Sequence, residues 1–554
     1  MPRVNLPIGT SDFAEIRREG WYYVDKTGLI RDLLNTRKAK VTLITRPRRF
    51  GKTLGMNMLA NFFDIQKDSK ALFEGLEVSK DQALCEQWRN QWPVLFVSFR
   101  RVDGLNFQSA YGMLKATICE LCIEHRYLLE STQVSHEHKE TMRRLLQKTA
   151  SDDELSSSLL LLTHMMQVYY GKPVILLMDE YDVPLAKASA NGYYKEMLDV
   201  MKGIMQAMKD NSALQLAVIT GCLRIAKESI FTGTNNFVSD TITSSRLNEY
   251  FGFTQAEVDQ LLQDTGLTDH AEDVKAWYDG YDLIAHRRSG DAHYSMYSPK
   301  SVVDAMLRHK FGTYWNQTET YEALKIYIQM DMDGLQNAVV RMLAGEAIKI
   351  NTGTFSNDMT TFASKDDVLT LLVHLGYLTY NSIDESVTIP NKEVSQEYVN
   401  ALSTMNWHGV MDSIEASRRL LEALWAMDAD AVAAGVDKAH EEVSVLQYND
   451  ENSLSCIINL AFYFAREYYT IVRELPAGKG FADVCMIPHR MHLDKPAVVI
   501  ELKWNKSASG ALAQIKEKHY GNALKDYQGN VLLVGINYDK ATKKHECLIE
   551  KIQK

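Results

Sequence analysis

VTLITRPRRFGKTLGM, residues 41 to 56, decides how the first half of the chain folds. Lys40 to Thr45 is a short run rich in β-branched residues, the composition of a strand. After the turn RPRRFG, Lys52 to Phe63 carries Leu54, Met58, Leu59 and Phe62 at helical spacing. Strand, loop and helix in this order make a phosphate cradle, because backbone N–H groups of the loop and of the helix N-terminus face an anion. Gly51-Lys52-Thr53 supplies the chemistry: Lys52 to reach the β- and γ-phosphates, and the Thr53 hydroxyl to ligate Mg²⁺. Arg46 stands where the GxxxxGK[ST] pattern has its first glycine, so Arg46, Pro47, Arg48, Arg49 and Phe50 shape this loop differently. A basic turn that holds no nucleotide is the plain alternative.

A second stretch favours the nucleotide. KPVILLMDEYDVP (172–184) is an apolar run ending in Asp179-Glu180. A buried parallel strand with acids at its C-terminal edge lies where open α/β sheets bind ligands. Asp179 is then placed for the magnesium shell and Glu180 to polarise an attacking water. Val94 to Phe99 and Leu214 to Thr220 fit the same sheet. The latter run ends in Thr220, placed to sense a γ-phosphate. Arg224 follows one helical turn later and could neutralise phosphate charge, or lie as an ordinary surface arginine.

Composition narrows the class. The chain has 554 residues, 46% apolar and 24% charged, ordinary for a globular protein of several domains. A formal charge of −10 excludes a surface that is basic throughout, so any nucleic-acid contact must be a local patch. Seven cysteines without disulfide rhythm suit a reducing compartment. Cys119 and Cys122, with His136 and His138 downstream, could suggest zinc, but no second CxxC supports it and the segment reads as an amphipathic helix. The start has no signal-peptide pattern, and the most apolar run, Leu159 to Tyr170, is too short to span a bilayer. The expectation is a soluble, cytoplasmic protein with no membrane contact.

The segments LPIGTSDFAEIRREGWYYVDKTGLI (6–30), ITRPRRFGKT (44–53), LLMDEYDVPL (176–185), TGCLRIAKESIFTGTNNF (220–237), EYFGFT (249–254) and WYDGY (277–281) together resemble the AAA-ATPase-like proteins of bacteria and archaea. Those proteins commonly carry a PD-(D/E)XK nuclease domain at the C-terminus. RPRRFGKT is that family's own form of the phosphate loop, so Arg46 does not argue against ATP. YVDKT (23–27) is similar to a segment that precedes the loop in the family.

The implied fold is α/β: a P-loop core over 1–240, a helical lid over 241–350, then a winged-helix-like module and helical connector over 351–440. A restriction-endonuclease-like domain follows over 441–554. Within the module, a helix over 365–375, a hairpin over 376–390 and a helix capped by Asn391 are expected to pack on the ATPase rather than touch DNA.

The last hundred residues carry a second chemistry. The predicted order is a helix (451–465), strands over 468–474, 478–488 and 497–504, a helix (509–524) and a closing strand (531–538), the α-β-β-β-α-β order of restriction-type nucleases. Asp483 and Glu501 on neighbouring strands can bind Mg²⁺, or Mn²⁺ in its place. Lys503, two residues after Glu501, points the same way because the side-chain period of a strand is two. Charged strand ends are common, so the triad gains its weight from the element order and from the resemblance. The resemblance extends through GKGFAD (478–483), VVIELKW (498–504) and AQIKEKHY (513–520), and adds Gln514 and Tyr520 beside the site. Phe481 departs from the basic or small residue usual before this aspartate. Glu451 is a further candidate as an outer metal contact.

Residues 441–554 hold 15 Lys and Arg against 14 Asp and Glu, with Lys503, Lys506, Lys516, Lys518 and Lys525 near the site. A phosphate backbone fits that balance, and DNA is favoured over RNA. Two functions remain open. One is an ATPase that gates a metal-dependent nuclease, placed by architecture in defence or mobile-element biology. The other is a nucleotide-operated switch whose last domain binds nucleic acid or protein without cutting. A homo-oligomer is compatible with either.

Overall fold

The computed structural model describes residues 4–7, 9–35, 39–223, 225, 237–242, 246–287, 290–315, 320–330, 332, 334–355, 362–405, 408–442, 451–477, 480–489, 492–517 and 529–552. At 284–287, 290–293, 320–323, 408–411, 413, 415, 442, 451–453, 474–477 and 480–482 it describes the backbone alone. Two compact units emerge, one of 1–315 with 350–390 and the other of 316–349 with 391–554.

The first unit is built on five parallel strands: β1 (Val41–Thr45), β2 (Val94–Ser98), β3 (Val174–Asp179), β4 (Leu214–Gly221) and β5 (Phe237–Asp240). Their order is β2-β3-β4-β1-β5. β1 and β3 are buried at every position, which is why both read as unbroken apolar runs. The first four were expected; β5, the polar FVSD, carries no such signal. In-register pairing brings Ser98, Asp179, Thr220 and Asp240 to one C-terminal rim beside the loop that follows β1.

The region expected as a helical lid holds helices Gln255–Thr265, Ala271–Tyr278 and Pro299–Arg308, but also a small sheet. β6 (Phe253–Thr254), β7 (Tyr281–Arg287) and β8 (Gly290–Tyr297) form it in the order β6-β8-β7. Its core is the antiparallel pair of β7 and β8, in register from Tyr281 with Met296 to Arg287 with Gly290. The chain then enters the second unit, where β9 (Ile348–Lys349) ends the first visit, and returns at Ile350. Back in the first unit come helix Lys365–Leu375 and the hairpin of β10 (Thr379–Asn381) and β11 (Ser386–Thr388), as expected. This hairpin is fixed to β7: the Asp282 N–H donates to Thr379 Oγ1 at 3.0 Å, and Tyr281 Oη donates to the Gly376 carbonyl at 2.8 Å.

The second unit holds the expected helices at Lys392–Ser403, His408–Trp425, Ala429–Glu442 and Glu451–Ala461. Its sheet contains β12 (Tyr469–Ala477), β13 (Gly480–Pro488), β14 (Ala497–Trp504), β15 (Val531–Asp539) and β16 (Lys544–Ile552), in sequential order. Only β14 and β15 run parallel, and helix Ala508–Glu517 begins the crossover between them. The sheet does not close at β15 as expected. β16, KHECLIEKI, adds an antiparallel edge whose alternating charged and buried positions hide it among polar residues.

Candidate functional site

The phosphate loop is held from outside at almost every residue. Arg46 has no exposed surface. Its guanidinium donates to Asp240 Oδ1 at 2.5 Å, Asn248 Oδ1 at 3.0 Å, and the Thr45 and Asp240 carbonyls at 2.8 and 3.0 Å. It also lies over the Phe251 ring, 5.5 Å from the centroid. The Arg46 side chain, expected to shape the loop, is a buried strut between the loop and the end of β5.

Pro47 meets Gly376, where a Cβ would stand 2.6 Å from Pro47 Cβ and where φ is +89°. Only glycine suits both conditions. The Arg48 carbonyl accepts from Trp315 Nε1 at 3.2 Å, and the Phe50 carbonyl from the Gly252 N–H at 3.1 Å. The Phe50 ring packs edge-on against Tyr281, 4.9 Å between centroids. EYFGFT and WYDGY thus act as outer walls of the loop. YVDKT braces the same wall. Lys26 Nζ donates to both Glu257 oxygens and to the Glu249 carbonyl, each at 2.7 Å.

Inside these walls several of the sequence-predicted site residues converge. Gly51, at φ +83°, caps helix Lys52–Phe63. Lys52 is 5% exposed and its ammonium donates to the Arg46 and Pro47 carbonyls at 2.9 and 2.8 Å, with Cys222 Sγ at 3.5 Å. Thr53 Oγ1 donates to Asp179 Oδ2 at 2.9 Å and Thr220 Oγ1 to Asp179 Oδ1 at 2.6 Å. The structure therefore brings Thr53, Asp179 and Thr220 into one cluster, with Lys52 beside it. A hydroxyl and a carboxylate at this separation are the hard oxygen donors that Mg²⁺ takes when phosphates and waters complete its shell.

Glu180 sits at φ +53°, a left-handed geometry uncommon for glutamate and typical of functional positions. Burial, and then the Asp179 charge, raise its carboxyl above the ordinary range, while Lys52 and Arg100 oppose the shift. Arg49, at φ +69°, is lowered by burial and then by Arg100 and Arg48. Arg100 was not among the expected site residues, nor were Asp240 and Asn248. No spacing joins these residues to the loop; they arrive through sheet register and long-range folding. Arg224 lies outside the described residues.

The second site is carried by β13 and β14. The pairing of Val484 with Ile500 sets Asp483 across from Glu501, and Asp483 Oδ2 accepts from the Leu502 N–H at 2.6 Å. Glu501 is 2% exposed, and its Oε1 accepts from Lys503 Nζ at 2.9 Å and from Gln514 Nε2. Asp483, Glu501, Lys503 and Gln514 are thus assembled from two strands and one helix. Two carboxylates with a neighbouring cation fit a divalent ion that also takes phosphate oxygens and water. Tyr520, Lys518, Lys525 and the Glu451 side chain lie outside the described residues. Of the remaining lysines, Lys506 is exposed and Lys516 pairs with Glu550 at 2.6 Å.

Among the described residues no three His, Cys, Asp or Glu side chains form a metal cluster, so Cys119 and Cys122 find no further ligand. Cys119 Sγ instead donates to the Leu146 carbonyl at 3.2 Å. No described helix is long and apolar enough to cross a membrane.

A phosphate-loop sheet in one unit and a restriction-type nuclease sheet in the other define the class: a nucleotide-binding ATPase fold joined to a nuclease fold. Residues 7–231 match the family described as "Predicted AAA-ATPase", and 449–547 match the PD-(D/E)XK nuclease superfamily. The two matches agree with the expected architecture of an AAA-ATPase-like region followed by a PD-(D/E)XK region. It is 27% identical over 413 residues to "Uncharacterized protein in vnfD 5′region" of Azotobacter chroococcum mcd 1, covering 73% of this chain and 70% of that one. Cdc6p of Pyrobaculum aerophilum is 11% identical at a TM-score of 0.23, over 71% of this chain and 95% of that one. The ORC2 protein of Aeropyrum pernix is 10% identical at a TM-score of 0.23, over 68% and 94%.

Proposed function

We propose that the chain binds and hydrolyses ATP with Mg²⁺ in the first unit and cleaves nucleic-acid phosphodiesters with Mg²⁺ or Mn²⁺ in the second, the nucleotide state gating the cut. The observation that carries the nuclease reading is the meeting of Asp483, Glu501, Lys503 and Gln514 across β13, β14 and one helix. When bound there, a divalent ion supplies a Lewis acid and an activated water. Asp483 and Glu501 hold that ion, Lys503 offsets charge on the phosphate, and Gln514 keeps the Glu501 carboxylate oriented. In the first unit, Lys52 leaves the loop carbonyls for the phosphates, Thr53 and Asp179 hold the ion, and Glu180 takes the proton of the attacking water. DNA is the preferred substrate, in a cytoplasmic defence or mobile-element setting.

The test is a cleavage assay on single- and double-stranded DNA and RNA, with each metal, with and without ATP. Wild type should cut in a metal-dependent way, Asp483→Ala should lose cleavage but keep ATP binding, and Lys52→Ala should lose ATP binding. Intact substrates alongside normal ATP binding would leave the interaction switch as the surviving function.

A further inference from the structure

DEYD, residues 179 to 182, is used only to its midpoint in the reading above. Asp179 and Glu180 face the nucleotide side. Tyr181 and Asp182 turn back and are buried, at 0% and 4% exposure. What they grip is the segment that follows Thr220.

The Tyr181 N–H donates to the Thr220 carbonyl at 3.1 Å. Tyr181 Oη donates to the Leu223 carbonyl at 2.7 Å and accepts from the Ile225 N–H at 2.9 Å. Asp182 Oδ2 accepts from the Cys222 and Leu223 N–H groups, both at 2.8 Å. Gly221 makes this approach possible, since a Cβ there would stand 2.6 Å from Asp182 Oδ1 and 2.8 Å from Tyr181 Cε1. Five hydrogen bonds therefore strap Thr220, Cys222, Leu223 and Ile225 to the two residues that follow the acids. The strapped segment carries Thr220, bonded to Asp179, and Cys222, whose Sγ lies against the Lys52 ammonium.

We infer that Tyr181 and Asp182 are positioning residues for ATP hydrolysis, holding the end of β4 so that Thr220 stays registered on Asp179. The inference rests on the ATPase reading. A bond network of this kind matters to the chemical step more than to binding, because a displacement of about 1 Å at a reacting centre can cost ~100-fold in rate. Phosphate affinity, by contrast, comes from Lys52 and the loop amides, to which none of the five bonds is made directly.

The experiment compares ATP turnover by full-length wild type, Tyr181→Phe and Asp182→Asn. Tyr181→Phe removes one hydroxyl, hence two of the five bonds, and keeps the ring. It should lower kcat roughly 10- to 100-fold with KM for ATP changed less than about threefold. Asp182→Asn keeps the shape and one acceptor oxygen, and should lower kcat less. Melting curves run alongside separate position from stability. A fold-only role would lower the melting temperature and leave kcat per folded molecule unchanged, and that result overturns the inference. If Tyr181→Phe does not fold, Asp182→Asn carries the same comparison. Wild type that turns over no ATP would bring down the ATPase reading and this inference together; active wild type with variants of equal kcat would bring down the inference alone.

Discussion

Arg46→Ala separates the two roles that sequence and structure assign to this residue. The Arg46 side chain is fully buried and its partner Asp240 is 1% exposed. Truncation removes four hydrogen bonds and leaves the Asp240 carboxylate with Arg246 Nε at 3.6 Å. Breaking a buried pair from one side typically costs about 3–5 kcal/mol, and the remaining arginine puts this case toward ~3 kcal/mol. For a unit of this size each kcal/mol moves the melting temperature by roughly 2 °C, so calorimetry should show the first unit melting ~6 °C lower. The double variant Arg46→Met with Asp240→Leu removes both charges and should recover most of that loss, since apolar replacement of a buried pair is often neutral or stabilising. Mant-ATP titration on the same samples supplies the second axis. A single variant that melts within ~1 °C of wild type but loses nucleotide affinity would refute the strut and return Arg46 to the phosphates.

Three further outcomes are expected. Burial and Asp179 raise the Glu180 carboxyl above 4.5, so ATP turnover should fall on acidification with an inflection above that value, and Glu180→Gln should abolish turnover while ATP still binds. Gly376→Ala forces a Cβ toward Pro47 at a φ of +89°; strain of about 1–3 kcal/mol should lower the melting temperature of the first unit and weaken ATP binding. His545 bonds Asp437 through Nδ1 at 2.7 Å, and burial lowers its pKa below 6.5 despite that partner. Because the unfolded imidazole then binds the proton more readily, stability is full above about pH 6.5 and falls as pH drops toward the folded value. His545→Gln should flatten that profile in urea titrations between pH 7 and 5.

Legibility followed burial. β1 to β4 could be read because strands covered on both faces are continuous apolar runs, and the acids at their ends mark the ligand edge. β5 and β16 could not, since FVSD is short and KHECLIEKI mixes charge with half-buried positions. The β7–β8 hairpin lies within the span expected as a helical lid, because period-two alternation over so few residues competes poorly with flanking helices. Asp483, Glu501 and Lys503 were legible as a pattern, because one strand pairing and one pleat are enough to converge them. The Arg46–Asp240 pair was not, because 194 residues separate its members and no spacing rule spans that distance.

The second unit takes residues from two separated stretches of chain, 316–349 and 391–554. Glu346, 7% exposed, pairs with Arg341 at 2.6 Å and with Arg473 at 3.5 Å, and Arg466 Nη2 donates to the Leu343 carbonyl at 2.8 Å. At ordinary synthesis rates of ~5–20 residues per second, Glu346 is synthesised roughly 6–25 seconds before Arg473. The newborn segment must wait that long without its later partner, which makes it a natural client for chaperones. The same interleaving means that a protease cut or gene fusion at residue 441 would not free a complete second unit: it would part Arg473 from Glu346.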